Sequence, residues 1–267
     1  MAEEAPHFIW YELLTDDPQA ASAFYGAVVG WTIGENAMPP GSGTEYRMIG
    51  RDDGSHAGGV FTLTGAMLAQ GARPAWLGYV HVADVDAEVD AVLAQGGAVH
   101  MPATTIEGAG RMAMLADPTG APYYVMTPQP PADNPEATSD AFTVDRPQTV
   151  RWNELATTDQ DRAVAFYTGR YGWTQEGAMP MGPLGDYKFI HAGGTAIGAI
   201  MPAPQGMPRS GWTFYFGVDD IDRATAAVGS AGGTVTDGPR QIPGGEFAVH
   251  ASDPQGASFG LVGPRGA

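Results

Sequence analysis

The 267-residue chain carries 13 lysines and arginines against 30 aspartates and glutamates, a formal charge of −17, so its composition offers nothing like a nucleic-acid-binding surface. Cysteine is absent, which excludes disulfides, thiolate metal centres and cysteine nucleophiles and leaves only nitrogen or oxygen ligands for any metal. A hydrophobic content of 43% suffices for buried cores, while 38 glycines and 22 prolines favour short strands and frequent turns over a helical bundle.

The acidic start Met1-Ala2-Glu3-Glu4-Ala5-Pro6 leads into no apolar signal segment, and no run approaches the roughly 18 apolar residues of a membrane span. The expectation is a soluble, cytoplasmic protein with neither membrane nor nucleic acid as partner. Phe8 to Leu14 reads as a strand. Asp17 and Pro18 then form a helix start, and Ala21, Phe24, Tyr25 and Val28 make one apolar face until Gly30 stops it. Glu45 to Gly50, Ala57 to Leu63 and Leu77 to Val82 read as strands. A second helix is capped from Asp84 or Asp86, carries Val85, Val89, Val92 and Leu93, and ends at Gly96-Gly97. Val99 to Met101, Arg111 to Ala116 and Pro122 to Thr127 complete a strand, helix, strands pattern given twice over.

The chain then repeats itself. Trp10-x-Glu12-Leu13, Phe24-Tyr25 and Gly30-Trp31 recur 142 residues later as Trp152-x-Glu154-Leu155, Phe166-Tyr167 and Gly172-Trp173. Tyr46-Arg47-Met48-Ile49 recurs at 141 as Tyr187-Lys188-Phe189-Ile190, and Trp76, Gly96-Gly97 and Asp117-Pro118-Thr119-Gly120-Ala121 recur at 136 as Trp212, Gly232-Gly233 and Asp253-Pro254-Gln255-Gly256-Ala257. The helices repeat from Asp159 and over Asp220 to Ala231. Pro128, Pro130, Pro131, Pro135 and Pro147 mark a linker. The expected domains are 6–128 and 148–264, joined by 129–147.

These ordered motifs resemble the vicinal-oxygen-chelate superfamily of glyoxalases, bleomycin-resistance proteins and extradiol dioxygenases. Asp17-Pro18 with Phe24-Tyr25 and Gly30-Trp31 looks like the family's first-helix signature. Val82-Ala83-Asp84-Val85-Asp86 looks like its second-module entry, and Asp117-Pro118-Thr119-Gly120 like its final turn. The implied fold is α+β, with tandem domains of two βαβββ modules each forming a half-open barrel. A tandem subgroup of glyoxalase-like proteins, some called hydroxylases, is the nearest likeness.

In metal-dependent relatives, His, Gln or Glu side chains from several strands hold one divalent ion that binds vicinal substrate oxygens. The resemblance places those positions at Trp10 and Trp152 on the first strands, near Leu77 and Thr213 in the second modules, and at Tyr124 and Gly260 on the last strands. None is a metal ligand. A two-residue slip would bring up Glu12 or Glu154, with Tyr79 or Tyr215, still one strong ligand per domain. No resident metal or other cofactor is therefore expected; a weakly held Zn, Ni, Fe or Mn is the alternative.

Glu12 and Glu154 share the strand parity of Trp10 and Trp152, so each acid stands beside an indole, either as a substrate acceptor or general base or as a hydrogen-bonded structural carboxylate. Trp10, Tyr46, Tyr79, Tyr124, Trp152, Tyr187 and Tyr215 would form an aromatic cleft, or equally ordinary core. His81, in parity with Tyr79, is the histidine best placed for acid–base work, with His250 a weaker counterpart. Gly256-Ala257-Ser258-Phe259-Gly260 matches a nucleophile-elbow pattern, but Leu261 to Ala267 leave no room for the helix that must follow. The expectation is a binder of a small aromatic or oxygen-rich molecule, as monomer (an internal pseudo-dimer) or homodimer. A glyoxalase-like lyase or dioxygenase/hydroxylase and a non-catalytic interaction protein are the alternatives.

Overall fold

The first repeat folds in the order β1 (Phe8–Thr15), α1 (Pro18–Val28), β2 (Thr32–Asn36), β3 (Tyr46–Gly50), β4 (His56–Thr62), α2 (Gly65–Ala69), β5 (Ala75–His81), α3 (Val85–Ala94), β6 (Ala98–Ile106), β7 (Gly110–Ala116) and β8 (Pro122–Pro128). The second follows as β9 (Val150–Thr157), α4 (Gln160–Tyr171), β10 (Thr174–Pro180), β11 (Asp186–Ala192), β12 (Thr195–Pro202), β13 (Gly211–Gly217), α5 (Ile221–Ser230), β14 (Thr234–Gln241), β15 (Phe247–Ser252) and β16 (Ser258–Gly263). This computed structural model describes residues 7–39, 42–130, 134, 136–207 and 209–266. The acidic start Met1 to Pro6, the linker prolines Pro131 and Pro135, and Ala267 lie outside the described residues.

Two mixed eight-stranded sheets result, in the orders β2-β3-β4-β1-β5-β8-β7-β6 and β10-β11-β12-β9-β13-β16-β15-β14. Identical order in both confirms the duplication and the α+β class, with open sheets rather than closed barrels. No described helix is long and apolar enough to cross a membrane.

Four aspartates start the main helices by the same device. Asp17, Asp84, Asp159 and Asp220 each accept a backbone N–H from the first turn, at 2.9, 3.0, 3.1 and 2.9 Å, a cap worth about 1 kcal/mol. Two strands were not foreseen in full. β2 carries Thr-Ile-Gly-Glu-Asn with only Ile33 buried, and β6 runs to Ile106 rather than Met101 with no buried residue. Both are edge strands, where apolar alternation is weakest. α2 is a single turn capped by Thr64.

Contacts divide the chain into two compact units, each drawing on both repeats. Among the described residues, unit 1 falls within 7–9, 78–139 and 152–212, and unit 2 within 10–77, 140–151 and 213–266. The core of unit 2 centres on Tyr25, whose hydroxyl accepts from Trp76 Nε1 at 2.7 Å and donates to Asp253 Oδ2 at 3.1 Å. Phe24, Trp31, Phe216 and Phe259 pack around that pair. In unit 1 the same roles fall to Tyr167, which accepts from Trp212 Nε1 at 3.2 Å and stacks on Trp173 at 5.2 Å. Burial, then the neighbouring Asp117 charge, pushes the Tyr167 phenol far above its ordinary range. The Phe-Tyr motif of one repeat is thus buried with the Asp-Pro turn of the other.

Part of the expected linker is tied down in unit 2. Asp140 lies 2.5 Å from the buried guanidinium of Arg51 and 3.0 Å from Arg146, and Ala141 is fully buried. Burial pushes the Asp140 carboxyl upward, but the two guanidiniums outweigh it and hold the group below its ordinary 3.8. A depressed carboxyl contributes stability above its unfolded value and loses it as pH falls through the folded one. Urea midpoints are therefore expected to drop below about pH 4. Asp140→Asn should cost about 1–2 kcal/mol at neutral pH, less than a fully buried pair because Asp140 is half exposed, and should flatten the acid response. An unchanged acid slope in that variant would assign the loss to other carboxylates.

Candidate functional site

Strand alternation puts Trp10 and Glu12 on one face of β1, and Trp152, Glu154 and Ala156 on the matching face of β9. In unit 1, Trp152 Nε1 donates to the Tyr187 hydroxyl at 2.7 Å, and that hydroxyl donates to Glu154 Oε2 at 2.7 Å. The relay joins β9 to β11 across β12, where Ala199 pairs with Glu154. Tyr187 and Glu154 are 9% and 7% exposed. Ala156, Ala199 and Met201 pack with Tyr187, and Trp152, Met179, Leu184 and Phe189 form a partly buried apolar rim. Burial first, then the charge and hydrogen bond of Glu154, pushes the Tyr187 phenol far above its ordinary range, opposed by the indole donor. Tyr187 is therefore a neutral donor at physiological pH, and the indole and phenol together fix where the carboxylate points.

Unit 2 repeats the start of this arrangement. Trp10 Nε1 donates to the Tyr46 hydroxyl at 2.9 Å. Glu12 is 4% exposed and sits in parallel register with Gly59 on β4. A β-carbon at Gly59 would stand 2.0 Å from the Tyr46 hydroxyl, so the missing side chain is what lets that ring lie across β4.

The remaining expected site residues fall on the second modules, where the repeats diverge. In unit 1, Tyr79 and Tyr124 are register partners on β5 and β8 and stack at 4.2 Å and 7°. His81 lies half-buried at the end of β5, in the parity of Tyr79. In unit 2, the 136-residue offset puts Tyr215 where Tyr79 stands and Gly260 in place of Tyr124. Tyr215 covers Gly260, where a β-carbon would meet its ring at 2.3 Å, and its hydroxyl reaches His250 Nε2 on β15 at 2.5 Å. His250 replaces Met114 of the first repeat. No local sequence signal marks this pair, which forms because Tyr215 and His250 both lie in register with Gly260 on the strand between them. A search for histidines shared by both repeats passes over it.

Among the described residues, no group of three or more His, Asp or Glu side chains is placed to hold a metal ion. At the positions that the family resemblance gives to metal ligands, the indoles of Trp10 and Trp152 hold tyrosine hydroxyls, Tyr124 is stacked, and Gly260 is covered. This donor set does not fit a divalent ion, whose stable binding needs several convergent nitrogen or oxygen donors.

Comparison with known proteins gives a consistent picture. The family described as Glyoxalase/Bleomycin resistance protein/Dioxygenase superfamily matches residues 7–122 and again 148–261. CFP32 of Mycobacterium tuberculosis, whose name assigns it provisionally to the glyoxylases, is 38% identical over 96% of this chain and 94% of its own. The anthracycline biosynthesis protein DauV of Streptomyces sp. strain C5 is 30% identical over 95% of this chain and 91% of its own. In fold, the chain is similar to the Mn(II)-bound glyoxalase of Novosphingobium aromaticivorans, with a TM-score of 0.63 and 18% identity over 97% of this chain and 82% of that one. It is likewise similar to the 2,2',3-trihydroxybiphenyl 1,2-dioxygenase of Sphingomonas wittichii RW1, with a TM-score of 0.63 and 15% identity over 97% of this chain and 90% of that one. Duplicated motifs, matching sheets and a family match in each half lead to one conclusion: the chain belongs to the glyoxalase/bleomycin resistance protein/dioxygenase superfamily, as a tandem of two such domains.

Proposed function

We propose that this protein binds a small, flat, oxygen-bearing molecule on its Trp-Tyr-Glu faces without a resident metal ion. The observation that carries this proposal is the Trp152–Tyr187–Glu154 relay, a carboxylate held by an oriented phenol inside an apolar rim. Aromatic and methionine side chains offer a surface for a planar ring, while a desolvated carboxylate accepts a hydroxyl more strongly than it would in water. The names of DauV and of its Streptomyces peucetius counterpart DnrV tie those relatives to anthracycline biosynthesis, which agrees in kind with a flat aromatic ligand. The metal-free part of the proposal is supported by the donor set described above.

Tryptophan fluorescence titrated with catechols, naphthoquinones and α-dicarbonyls tests the proposal. A saturable change is expected with at least one aromatic class in metal-free buffer. Glu154→Gln should weaken it about tenfold, the loss of one charge-assisted hydrogen bond. Binding that requires an added divalent ion would reject the metal-free site.

A second reading, proton-transfer catalysis, is favoured by the Tyr215–His250 contact, since a phenol facing an imidazole nitrogen can pass a proton to it. Turnover lost in both Tyr215→Phe and His250→Gln, with ligand affinity retained, would establish it. Turnover indifferent to both would remove it.

A further inference from the structure

The two units share their motif residues but differ where their helices meet. In unit 1, Glu88 on α3 is 5% exposed and is clasped by Arg170 near the end of α4. Arg170 Nε lies 2.9 Å from both carboxylate oxygens, and Nη2 lies 2.8 Å from Oε2. Beside this pair the hydroxyls of Tyr123 and Tyr171 meet at 2.7 Å. Arg170 keeps about a quarter of its side chain in solvent, so Glu88 is the end that depends on its partner.

The repeat offsets identify the counterparts in unit 2. Arg170 and Tyr171 correspond to Val28 and Val29, while Glu88 and Tyr123 correspond to Ala224 and Phe259. All four are buried and apolar, on or beside α1 and α5, which pack together. Duplication supplied equivalent surfaces, and the two units now settle the same contact differently: an ion pair with two phenols in one, and in the other aliphatic and aromatic carbon edged by Arg223 of α5, which is paired with Asp219 and donates to the Ala27 and Val28 carbonyls at 3.2 and 3.4 Å.

The consequence concerns partner choice. Each unit joins the first module of one repeat to the second module of the other. Because the repeats are homologous, two copies of the chain could in principle join like with like, the first module of repeat 1 to the second module of repeat 1 and correspondingly for repeat 2. The first of these would bury Glu88 against Val28 with no cation. The second would set Arg170 against Ala224 and beside Arg223, whose guanidinium already engages the nearby Asp219. Each leaves Glu88 or Arg170 without its partner, the arrangement that specific interfaces use to reject a wrong partner. We infer that the Glu88–Arg170 pair selects the cross-repeat pairing and bars a second copy of this chain from pairing through like repeats.

The test uses the full-length chain refolded from urea over a range of protein concentrations, with mass measured by light scattering after size exclusion. Three forms are compared: wild type, the volume-conserving apolar pair Glu88→Leu with Arg170→Met, and the reversed pair Glu88→Arg with Arg170→Glu. Wild type is expected to return to one species at all concentrations. The apolar pair should fold and melt at or above the wild-type temperature, yet return a share of doubled and larger species that grows with concentration. The reversed pair, if folded, should return to the wild-type distribution. An apolar pair that refolds to the single wild-type species at every concentration would overturn the inference, as would a folded reversed pair that spreads over several species. Glu88→Leu alone reports folding: a loss of stability confined to the single variant, with no new species in the double, assigns the pair a stabilising role only.

Discussion

Asp253→Ala is expected to lower stability by about 3–5 kcal/mol, because it strips acceptors from several buried donors at once. Asp253 Oδ1 accepts the backbone N–H of Gln255 at 3.0 Å and of Ala257 at 2.9 Å, while Oδ2 accepts the Tyr25 hydroxyl at 3.1 Å. The residue is 3% exposed, so water cannot replace what is lost. Asp253→Asn should cost only about 1–2 kcal/mol, since the amide oxygen can still serve the turn and only the Tyr25 contact is left mismatched. Tyr25→Phe should fall between them, orphaning the Trp76 indole and one carboxylate oxygen. Burial raises the Asp253 carboxyl above its ordinary 3.8 despite those hydrogen bonds. Its titration therefore favours the fold toward acid, opposite in sign to Asp140. Urea unfolding of the three variants checks the ranking; an alanine variant within 1 kcal/mol of wild type would contradict the role given to the Asp-Pro turn.

Gly198→Ala should be nearly as damaging and should remove ligand binding as well. A β-carbon there would stand 1.9 Å from the carbonyl oxygen of Asn153, a backbone atom on the strand that carries Trp152 and Glu154. Relief requires β12 to part from β9, at a cost of about 2–4 kcal/mol. The shift would also move Glu154 away from Tyr187, so the fluorescence response to an aromatic ligand should disappear even where the variant stays folded. Gly169→Ala is the control. Gly169 lies within α4 with open space around its missing side chain, and the change should stabilise by about 0.5–1 kcal/mol. If both variants behave alike, close strand approach is not what selects glycine at 198.

Much of the fold was legible because duplication lets each half check the other. The apolar face of α1, the aspartate caps and the order of strands follow from local patterns that recur at fixed offsets, whereas the expected α3 face is corrected: Leu93 is exposed and Glu88, held by Arg170, is buried with Val85 and Val92. β2 and the far part of β6 were not legible, since exposed edge strands have no apolar rhythm to read. The motifs that carry the family resemblance, Phe-Tyr and Asp-Pro, prove to be scaffold: Tyr25 and Asp253 meet across 228 residues in a buried core. For the site, parity alone put Glu154 beside Trp152, and recurrence drew attention to Tyr187. That a single phenol links the two depends on the register of three strands, which no local pattern encodes. The Tyr215–His250 contact was not legible for a related reason. His250 has no counterpart in the first repeat, where Met114 stands, so recurrence gives it no weight.

Elemental analysis of the purified full-length protein, paired with ligand titration before and after dialysis against a chelator, tests the central claim most directly. The account predicts no stoichiometric divalent metal and an unchanged fluorescence response after chelation. A stoichiometric ion whose removal abolishes binding, and whose return restores it, would contradict the account.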